Sequence, residues 1–196
     1  MWLGLSLLAT SFIIPSMRLS GEPRLSLSEW VVLCLFCEGP AHGFAMSASL
    51  ARDSDLGQIW HVPKAVVYRA IDRLERLGYI RATGQEPSSR GPVRSLAAAT
   101  RTGRSAARVW LAAPAAHPRD VRSELLIKLA LLIRSDADTA SLLRDQRAQL
   151  LPIAGAMEGR LRETTGFDHI LALWRRESIS ATLRFLEAAS ADAGSG

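Results

Sequence analysis

Apolar residues recur every three or four positions along the first half of the chain, and this spacing predicts three helices. The helices cover about residues 25–38, 42–52 and 63–77. The third begins with a proline, which suits a first helical turn, and Gly78 follows it, as is common after a helix C-terminus.

The pattern changes after Gly78. Residues 79–83 and 93–100 predict two strands, and residues 85–92 between them are rich in Pro, Ser and Gly, as turns are. Thr100 can cap a further helix. Three helices, a hairpin and a helix in this order predict a winged helix-turn-helix, which we place at residues 25–112.

A segment with two prolines, residues 113–120, separates this domain from three more predicted helices. Residues 121–133 are apolar almost all round, whereas residues 140–164 and 167–189 are amphipathic. The fold class predicted for the whole chain is therefore mostly α with a small β-hairpin.

The second group of helices has more apolar surface than three helices can cover, which favours pairing with a second copy. We expect a helical dimerisation domain at residues 119–190 and a disordered tail at residues 191–196. A closed monomeric bundle is the alternative. The residues predicted to line the dimer seam are Leu150, Met157, Leu161, Leu171, Trp174 and Phe185.

The chain opens with an uncharged apolar run, and a polar linker follows it up to residue 24. A secretion signal would carry positive charge before its apolar run, and Pro15 ends this run before the ~20 residues of a membrane span. Translation from Met17 and an appended apolar helix both explain the segment. We expect no stable membrane association and leave residues 1–24 out of the predicted fold.

Charge is distributed unevenly. The chain has 24 Lys and Arg against 19 Asp and Glu, a net charge of +5, and residues 64–108 hold ten of the cations and three of the acids. A basic segment beside a neutral helical half is typical of a protein that binds a polyanion. Two cysteines give no disulfide framework, which favours a cytoplasmic protein.

The third predicted helix presents a basic face opposite its apolar stripe. Such a helix fits the major groove of B-DNA, where Arg and Lys contact guanine edges or phosphates, and the hairpin tip can reach phosphate or the minor groove. A solvated amphipathic helix is the alternative. The residues predicted to contact double-stranded DNA are Lys64, Tyr68, Arg69, Arg73, Arg76, Ser89, Arg90 and Arg94.

Catalytic and metal-binding chemistry has little support. Cys34 and Cys37 have CxxC spacing but lie inside an apolar helix, where buried thiols are commoner than zinc ligands. The histidines lack ligand spacing, and the sequence has no phosphate-binding loop or nucleophile elbow. We predict no metal, no cofactor and no enzymatic activity.

Four segments carry a family resemblance: LSLSEWVVLCLFCEGPAHGF (25–44), VYRAIDRLERLGYI (67–80), RGPVRSLAAAT (90–100) and RDVRSELLIKLALL (119–132). In these the chain resembles the PadR-like transcriptional regulators. Tyr68 and Arg69 match the family's Leu-Tyr-Arg pattern, with Val67 in place of leucine, and the common His-Gly-Tyr appears as His42-Gly43-Phe44. Lys64-Ala65-Val66 departs from the small residues usual before that pattern.

The resemblance implies an operator-binding winged helix domain and a helical region that dimerises. It also implies that Trp174 and Phe185 line an interface pocket for a small aromatic or hydrophobic effector, with simple core packing as the alternative. We therefore interpret the chain as a homodimeric, sequence-specific DNA-binding regulator that represses by occupying a pseudo-palindromic operator. A helical protein–protein or membrane-tethered adaptor, which uses the winged domain for protein contacts, is the alternative.

Overall fold

The computed structural model describes residues 24–86 and 94–193, and these residues form a mostly helical chain with one antiparallel hairpin. The predicted fold class is therefore confirmed. The elements are α1 (Leu27–Glu38), α2 (Gly43–Ser49), α3 (Asp55–Ile59), α4 (Lys64–Arg76), β1 (Ile80–Glu86), β2 (Arg94–Ala99), α5 (Arg101–Ala112), α6 (Leu126–Arg134), α7 (Ala140–Glu163) and α8 (Gly166–Ala193).

The helices begin where the sequence supplies caps. Ser26 and Glu29 form a capping box at α1, in which the backbone N–H of Ser26 donates to the Glu29 carboxylate at 2.6 Å. Ser54 caps the short helix α3 through its side chain alone, accepting from Gly57 N at 3.0 Å. No helix was predicted between residues 52 and 63, so the helix expected to be the third is the fourth, α4.

The hairpin follows α4 through Gly78, whose φ of +70° is a left-handed conformation that glycine adopts without strain. Ile80 pairs with Ala99 and Glu86 with Arg94, so β1 is longer than predicted. A bridge between Ala41 and Ala97 fastens the α1–α2 loop to β2. Residues 87–93, which include the predicted DNA contacts Ser89 and Arg90, lie outside the described residues.

The first hydrophobic core lies between α1, α4 and α5, with Phe36, Val67 and Leu74 among its buried residues. It also contains Ile127 and Leu131 from α6, both almost completely buried. This corrects the predicted boundary, because a domain limited to residues 25–112 lacks two side chains of its own core.

The second core joins the other side of α6 to a hairpin of the two long helices α7 and α8. Leu125, Leu143, Leu150 and Leu186 are buried in it. Helix α7 tolerates the internal Pro152, and α8 continues to Ala193. Residues 191–193 are therefore helical, contrary to the predicted disordered tail.

The shared helix α6 leads to a test of domain structure. We expect a chain that ends at Ala113 to be less stable than one that ends at Ala137 by roughly 4 kcal/mol or more, because losing each buried Ile or Leu side chain costs about 2–5 kcal/mol. Urea unfolding followed by circular dichroism measures the difference. Equal stability of the two truncated chains would restore the boundary predicted from the sequence.

Candidate nucleic-acid interface

Helix α4 separates its residues cleanly into a buried and an exposed side. Val67, Ala70 and Leu74 are buried in the first core. Because they recur at spacings of three and four, the opposite side of the helix must face solvent. The predicted DNA-contacting residues on that exposed side are Lys64, Tyr68, Arg69 and Arg76.

Phe44, Lys64, Tyr68 and Arg94 form a cationic–aromatic cluster where α2, α4 and β2 meet. The Phe44 ring is 54% exposed, and its centroid lies 5.9 Å from Lys64 Nζ and 5.3 Å from Arg94 Cζ. Lys64 Nζ also lies 5.8 Å from the centroid of the Tyr68 ring. Because cations are attracted to aromatic faces, the rings hold both charges at the surface, where an anion can approach them.

His42 and Gly43 fix the shape of this cluster. The Nδ1 atom of His42 accepts a hydrogen bond of 3.0 Å from the first turn of α2, and its Nε2 atom lies 3.2 Å from Arg94 Nη1 and 3.5 Å from Glu86 Oε2. A Cβ atom on Gly43 would lie only 2.8 Å from Tyr68 Cε1. The glycine is therefore what allows the Tyr68 ring to pack against α2.

Arg69 and Arg76 lie along the other edge of α4 and form a second exposed group. They border a shallow groove between α4 and the start of α1, with Ser26 and Ser28 on the opposite wall. The Nε atom of Arg76 donates to the backbone carbonyl of Asp72 at 3.3 Å, which leaves its terminal nitrogens toward solvent. Both edges of α4 thus carry exposed cations, with the exposed acids Asp72 and Glu75 on the same side of the helix.

Arg73 has a different environment from the other predicted DNA contacts. Its Nη1 atom forms an ion pair of 3.1 Å with Glu29 Oε1, and its Nη2 atom donates to the carbonyl of Arg24 at 2.9 Å. The side chain is half-buried and holds α4 against α1. Arg73 therefore has partners within the fold, and its contact with DNA stays a prediction.

Phe44 and His42 are members of the site that the sequence analysis did not select. The signal was available in the tripeptide His42-Gly43-Phe44, but the tripeptide lies on α2 and comes next to α4 only in the folded chain. Arg94 was predicted, and the structure brings it to Lys64 and Tyr68 across the Phe44 ring.

The residues predicted for the dimer seam divide into two groups. Leu150 has no exposed surface and packs within the second core, so it is corrected from a seam residue to a core residue. Met157, Leu161 and Leu171 are half-buried. Trp174 is 69% exposed and therefore is not packed in the core of one chain.

Trp174 belongs to an apolar row along α8. We call this row the α8 stripe; its members are Phe167, Ile170, Trp174 and Phe185, all exposed. The side of α8 that packs on α7 is a different one, formed by Ala172, Ile179 and Leu186. Among the described residues, none covers this apolar row of the longest helix.

The cysteines lie in the first core. Burial raises the pKa of Cys34 strongly and that of Cys37 as well, so both thiols stay protonated near neutral pH. Among residues 24–86 and 94–193, no group of three His, Cys, Asp or Glu side chains could hold a metal ion. Within the same residues, no helix is both long and apolar enough to cross a membrane.

Solved structures with a similar backbone path include PadR proteins. Bacillus subtilis PadR in complex with operator DNA is 18% identical, with a TM-score of 0.44 over 86% of this chain and 99% of that one. The same protein in complex with p-coumaric acid is 17% identical, with a TM-score of 0.41 over 86% and 99%. A PadR-like transcriptional regulator from Bacillus cereus is 16% identical, with a TM-score of 0.37 over 85% and 98%. No curated protein matches the chain.

A family match covers the part of the chain that carries the basic surface. Residues 32–109 match the transcriptional regulator PadR-like family, a segment that extends from α1 into α5. It includes all of α4, the hairpin strands and the cationic–aromatic cluster. Over this segment the chain is therefore similar to the PadR-like family of transcriptional regulators.

Proposed function

We propose that the chain is a homodimeric, sequence-specific DNA-binding regulator that represses transcription by occupying a pseudo-palindromic operator in the cytoplasm. In this proposal it acts by binding rather than by catalysis. The observation that carries it is the exposed basic side of α4, where Lys64 and Arg94 converge on one aromatic ring. Two cations held against one exposed ring favour an anionic partner, and DNA is the anion that accepts a helix in its groove.

The cluster suits a DNA backbone better than a small anion. Its cations lie on an exposed surface made from three elements, and Arg69 and Arg76 place further cations along the other edge of α4. Charges spread along a helix match phosphates spread along a groove. Tyr68, which is exposed, adds a hydroxyl that can donate to phosphate.

The α8 stripe supports the homodimer. Exposed aromatic side chains in one row are typical of a surface that another chain covers. A twofold interface is self-complementary, so the α8 stripe of one chain can pack against the same stripe of a second copy and needs no other surface. We extend the proposal to a small aromatic or hydrophobic effector that binds against Trp174 and Phe185 at this seam and relieves repression.

Replacing single cluster cations tests the proposed surface. We expect Lys64→Gln and Arg94→Gln each to weaken duplex binding and to reduce the slope of log affinity against log salt by about 2 in the dimer, because each removes about one phosphate contact from each copy. The probe is a duplex recovered by the wild-type chain from a random-sequence pool, and binding is measured by fluorescence anisotropy over a salt series.

Arg184→Gln is the matched control, since it removes the same charge from an exposed position on α8. It is expected to leave the slope unchanged. Equal effects of all three substitutions would show that overall charge, rather than this surface, governs binding. Recovery of no preferred duplex from the pool would contradict sequence-specific recognition.

A further inference from the structure

Three polar side chains from α6 and α7 hold the backbone that connects the two cores. Lys128 Nζ donates to the carbonyl of Ala113 at 2.7 Å. Gln146 is fully buried and makes two hydrogen bonds to Ala115: its Oε1 atom accepts from the backbone N–H at 2.7 Å, and its Nε2 atom donates to the carbonyl at 3.3 Å. Gln149 Nε2 donates to the carbonyls of Ala115 and Ala116, both at 3.1 Å. We call these three side chains the linker clamp.

Lys128 is the most constrained member of the clamp. It is fully buried, and its ammonium also contacts Glu124 Oε1 at 2.6 Å and lies 4.6 Å from the centroid of the Trp110 ring. The ammonium therefore has three partners, namely a carbonyl, a carboxylate and an aromatic ring. Burial lowers the pKa of Lys128 from its ordinary value, while Glu124 opposes that shift.

Packing continues from the clamp to the DNA-facing helix. Trp110 stacks on Trp30 with centroids 5.4 Å apart and planes 5° from parallel. The neighbour of Trp30, Glu29, forms the ion pair with Arg73 on α4. Hydrogen bonds, ring contacts and an ion pair therefore connect α7 to α4. These contacts depend on orientation, so we expect them to resist rotation of one helix relative to the other more than apolar packing does.

We propose that the linker clamp is a positioning device, which fixes α4 at one angle to the α7–α8 hairpin and thereby sets the half-site spacing that the dimer accepts. The inference rests on the proposed function, because only a dimer has two α4 helices whose separation matters. One inserted base pair moves a half-site by about 3.4 Å and rotates it by roughly 35°. The clamped linker resists that change, whereas without the clamp only the apolar packing of α6 against the two cores opposes it.

The test compares spacing profiles rather than affinities alone. The probes are the selected duplex, the same duplex with one or two base pairs inserted at its centre, and a duplex with a single half-site. For the wild-type chain we expect insertion to weaken binding by about tenfold or more, because the second contact loses effective concentration. For Lys128→Met, which keeps the aliphatic length but lacks the ammonium, we expect a loss below about threefold.

Gln149→Ala is the second variant, since Gln149 is only half-buried and its replacement leaves the cores unchanged. If the Lys128→Met chain unfolds at the assay temperature, Gln149→Ala alone tests the proposal. Asp145→Ala, an exposed position on the same helix, is the control and keeps the wild-type profile. Both clamp variants should bind the single half-site as the wild-type chain does.

Two results separate failure of the clamp from failure of the proposed function. If the clamp variants lose affinity uniformly and keep the wild-type dependence on spacing, the positioning role is wrong. If the wild-type chain itself binds one half-site as tightly as two, the dimeric regulator is wrong. A change in thermal stability alone would not flatten a spacing profile, since it scales binding to every duplex equally.

Discussion

A Trp174→Asp chain is expected to sediment as a monomer and to bind the selected duplex at least ~10³-fold more weakly than the wild-type chain. Trp174 is 69% exposed in one chain and lies in the α8 stripe beside Ile170. A second copy that covers the stripe would enclose the new carboxylate in an apolar seam with no partner, at a cost of several kcal/mol. Loss of the dimer then removes one of the two DNA-binding surfaces.

Ala148→Asp supplies the control for this substitution. It adds the same charge at an exposed position of α7, on the side opposite the buried Gln146 and Leu150, and should leave the dimer intact. Tyr68→Ala is the reciprocal test of DNA binding and dimerisation. It should weaken DNA binding and leave sedimentation as a dimer unchanged. A Trp174→Asp chain that remains dimeric at micromolar concentration would show that the seam lies elsewhere.

The local part of this molecule was predictable from the sequence. Helix α4, its buried row of Val67, Ala70 and Leu74, and its exposed basic side follow from residue spacing alone. The same holds for the cap of α5, where Thr100 accepts from Gly103 N at 3.1 Å as predicted. These features depend on neighbours within about one helical turn, and such patterns are read directly from the chain.

The features that could not be predicted involve partners that are distant in the sequence. Periodicity placed Arg73 on the basic side of α4, but it could not show that Glu29, 44 residues earlier, takes the guanidinium. Leu150 fits an amphipathic stripe equally well whether the stripe faces α8 or another chain. The proline-rich segment looked like a domain boundary, whereas Lys128 and Gln146 satisfy its backbone from two other helices. Composition and residue spacing do not reveal such hydrogen bonds between a side chain and a distant backbone.

Binding of the full-length chain to the selected duplex should fall by ~10³–10⁵-fold between about 50 mM and about 200 mM salt. Four exposed cations of the described surface carry this expectation, namely Lys64, Arg69, Arg76 and Arg94. Doubled in a dimer, they supply about eight phosphate contacts, and each contact releases condensed counterions that added salt makes costlier to release. Anisotropy titrations at four or five salt concentrations give the slope.

Two substitutions on α4 show whether the slope comes from the assigned residues. Arg69→Gln should lower it by about 2 in the dimer, one for each copy, whereas Arg73→Gln should lower thermal stability and leave the slope nearly unchanged. The contrast follows from the structure, because the Arg73 guanidinium is held by Glu29 at 3.1 Å while Arg69 is exposed. Equal slopes for both variants would mean that Arg73 leaves its ion pair to reach DNA. A flat salt profile of the wild-type chain would contradict an electrostatic interface with DNA altogether.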